Sequence, residues 1–233
     1  VIFLNFNKKG QLFWFVGILL GYWAIMKLIP VPGYGAGVLT LKGNLAGYID
    51  RMLLPGKLHL EYMDNLGILT QIPAIGMALM GVLTGHFLRL QRENLSKLRK
   101  GLLLGAAGIV FLGLGRLWNI EFPIIKKIWT SSFTLYAGGW SLLFLSLFYL
   151  LIDVWGLKKY WSFFFIVIGM NPIFIYMCQS RVLDFHRMSD FFFHGLIHYP
   201  AEAFQPVVAA LTYMLVSWLF LYFMYKRKIF LKV

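Results

Sequence analysis

Apolar residues along this chain gather into six long runs, at about 12–30, 66–88, 101–118, 130–152, 161–180 and 205–225, and charged residues fall mainly in the segments between them. Each run is close to the ~20 residues that a helix needs to cross a bilayer's hydrocarbon core. None has the two-residue alternation of a barrel strand. A backbone without water must pair its own polar groups, which over such lengths means helix. The pattern predicts an all-α integral membrane protein whose solvent is lipid, a polytopic bundle of about six transmembrane helices forming a single domain over residues 1–233.

The segment between the first two runs, about 31–65, is too long for a simple connector. Val31-Pro32-Gly33-Tyr34-Gly35-Ala36-Gly37 is rich in turn formers and has no helical period. Asn44 then stands where a helix cap would, followed by apolar residues at 45, 49, 52 and 53, so a short interfacial helix is expected to end before Pro55-Gly56. It would hold Asp50 and Arg51 near the membrane surface, either as a solvated face or in contact with a polar substrate. Within the long runs, the pairs Gly17 and Gly21, Gly81 and Gly85, and Gly101 and Gly105 have the spacing that lets helix backbones approach closely, which predicts packing within one bundle.

Composition agrees: 60% of residues are hydrophobic and 13% charged, against ~25% charged in soluble domains. The formal net charge of +13 points to no nucleic-acid partner, because the basic residues occupy inter-helix segments rather than one face or tract. Their distribution instead predicts topology. Lys8, Lys9, Arg89, Arg92, Lys97, Arg99, Lys100, Lys158, Lys159, Lys226, Arg227, Lys228 and Lys232 would share one side, outnumbering Lys42, Arg51, Lys57, Lys126, Lys127, Arg181 and Arg187 on the other. The positive-inside rule places both termini in the cytoplasm. No signal peptide is visible, and the single cysteine, Cys178, leaves no internal disulfide.

The fifth run contains Gly169-Met170-Asn171-Pro172. Pro172 removes a helix hydrogen bond and Asn171 brings an amide to bilayer depth, so Asn171 is expected either to bond a neighbouring helix across a kink or to line a ligand cavity. His194 and His198 have the four-residue spacing of a helical metal pair, but no cysteine accompanies them and Asp190 and Glu202 read as loop residues, so no metal is expected. His86, beside Arg89 at the inner end of the second run, reads as a capping or snorkelling group.

Four blocks, in order along the whole chain, carry a family resemblance. They are Pro30-Val31-Pro32-Gly33 with Tyr48-Ile49-Asp50-Arg51; Asp64-Asn65-Leu66-Gly67-Ile68-Leu69 leading to Ile72-Pro73-Ala74-Ile75; Phe122-Pro123-Ile124-Ile125-Lys126-Lys127-Ile128-Trp129-Thr130-Ser131-Ser132; and Gly169-Met170-Asn171-Pro172. The chain resembles the carboxy-terminal portion of a bacterial-type member of the heparan-α-glucosaminide N-acetyltransferase-like family of multispanning membrane acyltransferases. That resemblance implies transfer of an acetyl group from cytosolic acetyl-CoA to an amino sugar or related glycan across a bacterial cytoplasmic membrane, with the amino-terminal helices of a longer member as partners. Homo-oligomerisation is left open.

The family's catalytic histidine sits in a His-Ala-x-Trp-x-Gly pattern of the amino-terminal half. None of His59, His86, His186, His194 or His198 stands in that context, so no catalytic residue is assigned and the 233 residues alone are expected not to transfer acetyl groups. Leu66 and Ile125 replace an acidic residue and an asparagine found in many members. The resemblance implies an acceptor-binding set of Asp50, Asp64, Lys126, Lys127, Trp129 and Asn171, with Trp129 as an aromatic platform and the last five bordering one cavity. Arg89 and Arg92, within the basic loop, are candidates for the phosphates of acetyl-CoA. A transporter or a purely structural helical bundle is the alternative.

The charge asymmetry is testable by cysteine labelling. With Cys178 replaced by serine, Ser96→Cys should resist an impermeant thiol reagent added outside intact cells and react after permeabilisation. Reaction from outside would reverse the orientation.

Overall fold

The computed structural model describes residues 1–91, 95–157, 160–178 and 183–231. Ten α-helices are named in chain order: α1 (Ile2–Asn5), α2 (Lys8–Leu28), α3 (Leu45–Leu53), α4 (Gln71–Arg89), α5 (Lys97–Trp118), α6 (Ser131–Tyr149), α7 (Tyr160–Met170), α8 (Pro172–Met177), α9 (Phe185–His198) and α10 (Gln205–Lys226). Among the described residues the only extended pairing is an isolated bridge between Val31 and Gly35. The chain divides into two compact units, Val1–Gly156 and Leu157–Val233. Among the described residues, five helical stretches are long and apolar enough to cross a membrane: α2, α4, α5, α6 with its continuation to Val154, and α10. The protein is thus an all-α polytopic membrane protein.

Helix starts follow local chemistry. Asn7, Asn44, Ser96, Thr130 and Asp184 each accept a hydrogen bond from a backbone N–H in the first turn of α2, α3, α5, α6 and α9, which satisfies one of the donors a helix N-terminus leaves open. The interfacial helix predicted after Asn44 is α3. At its far end, α6 runs into a π-helical turn, Leu150–Val154.

In the first unit, α5 and α6 make the closest helix pair. A Cβ on Gly108 would come within 2.9 Å of the Gly139 carbonyl oxygen, one on Gly139 within 2.8 Å of the Gly108 oxygen, and one on Gly115 within 2.9 Å of Tyr136 N. Lipid gives helices no hydrophobic reason to associate, so this near backbone contact supplies the attraction. Gly105 packs against Ser146 on the same interface, whose hydroxyl donates to Gly101 O at 2.7 Å. Gly17, Gly21, Gly81 and Gly85 behave otherwise: nothing lies within 4 Å of a Cβ placed on any of them. The buried stripe of α2 is Gln11, Phe15, Leu19, Tyr22 and Met26, and that of α4 is Pro73, Gly76, Leu79 and Met80, so both glycine pairs fall off the faces that the unit packs.

In the second unit the run predicted over 161–180 is divided. α7 stops at Met170, Asn171 has non-helical dihedrals (φ −137°, ψ 50°), and α8 begins at Pro172. The partners on and after α10 shift accordingly: Phe164 stacks on Trp218 and Phe163 meets Tyr222 and Tyr225, Asn171 bonds Ile229 and Leu231, and Phe174 stacks on Phe220. α9 packs on α10 through Ser189 to Thr212 (2.9 Å) and through Phe185 against Phe220.

The two kinds of glycine should separate in stability. Gly139→Val forces α5 and α6 apart and is expected to destabilise by about 1–3 kcal/mol, the range for overpacking. Gly17→Ala should leave the thermal midpoint of the detergent-solubilised protein at the wild-type value.

Candidate functional site

The candidate site lies where two loops of the first unit meet the end of α2. One is the segment between α2 and α4. It begins with a turn in which Val31 and Gly35 exchange backbone hydrogen bonds at 2.8 and 2.9 Å, helped by positive φ at Gly33 and Gly35. α3 follows and presents Asp50 inward, fully buried. Its Oδ2 accepts from Asp64 N at 3.2 Å and its Oδ1 from Ile68 N at 3.1 Å. A side chain at Gly67 would overlap the Asp50 carboxylate, which accounts for glycine in the Asp64-Asn65-Leu66-Gly67 block. Asp64 turns its own Oδ1 onto Leu66 N at 2.9 Å, an Asx-turn that shapes the block.

Arg51 works in the same way on its exposed side. Its guanidinium donates to Tyr62 O at 2.6 Å and Lys42 O at 3.0 Å, tying α3 to both flanks of the loop. The predicted pair Asp50 and Arg51 is therefore engaged with backbone, acceptor to N–H and donor to carbonyl. Half-buried Asn65 keeps a buried Oδ1 without a partner.

The second loop joins α5 to α6. Thr130 Oγ1 donates to Pro123 O at 2.9 Å and accepts from Ile125 N at 3.1 Å, closing the loop on itself. Two bonds then fasten it to α2: Tyr22 OH donates to Ile128 O at 2.5 Å, and Ser131 Oγ donates to Leu19 O at 2.7 Å. Lys27 at the end of α2 pairs with Glu121 at 2.7 Å. Between these anchors a short 3₁₀ turn, Lys126–Ile128, leaves Lys126 and Lys127 exposed.

Trp129 follows that turn in the left-handed region, φ 50° and ψ 51°. For a bulky side chain this conformation is strained, and such strain persists only where surrounding contacts impose it. Its ring meets Phe133 edge-on at 5.4 Å, and its indole N–H is buried without an acceptor. The indole N–H of Trp23, on α2 beside Trp118, is also buried and unpaired. A buried donor without a partner costs about 1–3 kcal/mol, so these groups are chemically primed for an acceptor.

The two loops share one apolar core: Tyr22, Met26, Val31, Leu45, Ala46, Met63, Phe122 and Ile128. Half-buried Asp64 follows Met63 of this core, and exposed Lys126 and Lys127 and half-buried Trp129 flank Ile128 of it. Tyr22, Trp23, Asn65, Thr130 and Ser131 belong to the same construction. Tyr22 and Trp23, inside an apolar run, gave no sequence signal, whereas Asn65, Thr130 and Ser131 stand in two of the resemblance blocks without an assigned role. A cleft of about 310 Å³ elsewhere in this unit is lined by apolar residues including Phe15, Met80, Phe87 and Leu104, and by none of the predicted site residues.

Asn171 belongs to the second unit. It is fully buried, its Nδ2 donates to Ile229 O at 3.0 Å, and its Oδ1 accepts from Leu231 N at 3.0 Å, so the amide clasps the chain beyond α10. Arg89 is exposed in the last turn of α4, and Lys100 Nζ donates to Leu88 O at 2.9 Å. Cations there complement the carbonyl end of a helix. Arg92 lies outside the described residues.

No protein-family model matches the chain. It is 27% identical over 246 aligned positions to the heparan-alpha-glucosaminide N-acetyltransferase of Homo sapiens, covering 93% of this chain and 36% of the relative. The corresponding Mus musculus enzyme is 27% identical over 241 positions, covering 90% and 35%. The chain is a distant relative of these acetyltransferases. It spans about a third of the length of both N-acetyltransferase relatives.

The Asp50 clasp is testable by substitution. Asp50→Ala leaves the N–H groups of Asp64 and Ile68 without their acceptor, each worth about 1–3 kcal/mol. Limited proteolysis should then cut between residues 54 and 68 at concentrations that spare the wild type. Equal resistance in both proteins would show that the carboxylate does not hold the loop.

Proposed function

We propose that the chain forms part of a membrane-embedded acetyltransferase that moves an acetyl group from acetyl-CoA to an amino sugar or related glycan on the opposite side of a bacterial cytoplasmic membrane. The observation that carries this reading is the relationship to two N-acetyltransferases over nine-tenths of the chain. The organisation of the first unit supports a binding role for its loops. Exposed Lys126 and Lys127 and the left-handed Trp129, whose indole N–H is unpaired, flank Ile128, and half-buried Asp64 follows Met63, two residues of one apolar core.

Acetyl transfer forms a C–N bond between the acceptor amine and the thioester carbonyl and breaks the C–S bond, with CoA leaving as its thiolate. A base must take the amine proton and donors must hold the oxyanion. No residue of this chain is assigned either role. Lys126 and Lys127 would hold anionic substituents of the glycan, Trp129 would stack on a sugar face, and Asp64 would accept from hydroxyl or amine groups. Asp50 and Asn171 would serve by holding backbone rather than by touching the acceptor.

On the proposed cytoplasmic side, Arg89, Arg92, Lys97 and Arg99 would attract the phosphates of acetyl-CoA. The exposed Lys97 and Arg99 lie in the first turn of α5, where helix N–H groups also favour anions. Both termini would then face the cytoplasm.

The reading predicts a separation of kinetic constants in the longer protein that contains this chain, assayed with labelled acetyl-CoA and glucosamine. Trp129→Ala should raise the acceptor KM by up to about tenfold with little change in kcat, since an aromatic platform contributes binding of about 0.5–1.5 kcal/mol. A wild-type KM in folded Trp129→Ala would remove the platform from the site.

A further inference from the structure

α9 carries chemistry that neither loop of the first unit uses. Asp190, His194 and His198 stand at successive four-residue steps, which places them on one side of the helix. All three side chains are exposed, while Phe185, Ser189 and Ile197 are the buried positions of the same helix. Ser189 is bonded to Thr212 at 2.9 Å, so α10 packs on the face that Ser189 shares with Phe185 and Ile197, while His186, one turn before Asp190, stacks on Tyr213 with centroids 4.2 Å apart. His194 Nδ1 lies 3.2 Å from Asp190 Oδ1, and the rings of His194 and His198 are 4.4 Å apart at 61°. One ligand atom from each of the three residues lies within 4.8 Å of the other two. Asp190 had read as a loop residue; its place inside α9 completes a three-ligand set that the histidine pair alone lacked.

We propose that Asp190, His194 and His198 form an open site for a borderline divalent transition metal of the zinc class. Two imidazoles and one carboxylate suit Zn²⁺, Ni²⁺ or Cu²⁺, whereas Mg²⁺ and Ca²⁺ select sets made of oxygen alone. Bonds of about 2.0–2.2 Å to a shared ion hold ligand atoms roughly 3.3 Å apart in a tetrahedron. The observed spread exceeds that by at most about 1.5 Å, and exposed side chains close such a distance by rotation about χ1 and χ2. The Asp190 to His194 hydrogen bond joins two of the residues, and His198, in the last turn of α9, meets them through its ring contact with His194.

Phe193 has non-helical dihedrals (φ −123°, ψ 17°), so Asp190 precedes a kink and both histidines follow it. An ion held by all three would tie the two parts of α9 together. With three protein ligands, the remaining position stays with water, as in sites that exchange ligands. The proposal is independent of acetyl transfer.

The test is equilibrium dialysis of the whole chain in detergent, purified without a histidine tag and stripped of metal, against ZnCl₂ at micromolar concentrations. Wild type should take up one zinc per chain. The double variant His194→Ala/His198→Ala should take up none, and Asp190→Asn should bind at least several-fold more weakly. The control His59→Ala/His86→Ala, in the first unit, should keep the full equivalent. Electron paramagnetic resonance of unmodified protein loaded with one equivalent of Cu²⁺ should show two coordinated nitrogens, a readout that needs no variant to fold. Zinc uptake unchanged in the His194/His198 variant, no stoichiometric uptake by wild type, or a copper spectrum without nitrogen coupling would each overturn the proposal.

Discussion

In a bilayer every backbone polar group must find its partner within the protein, and apolar burial offers helices no reason to associate. This protein meets both demands with side chains that bond the backbone of a neighbouring element. Tyr22 and Ser131 join α2 to the loop before α6 and to the start of α6 in reciprocal directions. Ser146 bonds Gly101 across α5 and α6, and Trp218 Nε1 donates to Phe164 O at 3.1 Å between α10 and α7. Where no such bond is made, glycine lets backbones meet, as at Gly108 and Gly139.

The same device extends into the loops and determines which polar residues remain available. Asp50, Arg51 and Thr130 turn their polar atoms onto loop backbone, and Asn171 does so in the second unit. These residues give rigidity. Lys126 and Lys127 project from the rigid frame into solvent, and the left-handed backbone at Trp129 holds an indole whose N–H has no acceptor. A site built in this way places its ligand-facing groups on positions that their neighbours have already immobilised.

Much of the architecture was legible because it rests on local rules. Run length located the five long helices to within a few residues apart from the start of α4, and Asn44 with its following apolar positions marked α3 almost exactly at Leu45–Leu53. Four-residue glycine spacing was less informative, because spacing does not say which face a helix packs. Gly101 and Gly105 meet α6 and its continuation, whereas Gly17, Gly21, Gly81 and Gly85 face open space. The run at 161–180 counts as one span by its continuous hydropathy, and Pro172 marks the kink within it; the partners of Asn171 at that kink, residues about 60 positions later, leave no local signal. The role of Asp50 was hidden for the same reason, since a carboxylate's partners can be backbone N–H groups that leave no trace in residue type. Asp190 was misplaced in a loop because α9 is short and its exposed face resembles a solvated connector.

Hydrogen–deuterium exchange with and without an amino sugar such as glucosamine, read at single residues in the longer protein, tests the division between holding and binding groups most directly. The account predicts that the amides of Asp64 and Ile68 are already protected without ligand, and that ligand adds protection to 124–130. Free exchange at Asp64 and Ile68, or ligand protection that appears at 50–68 and leaves 124–130 unchanged, would contradict it.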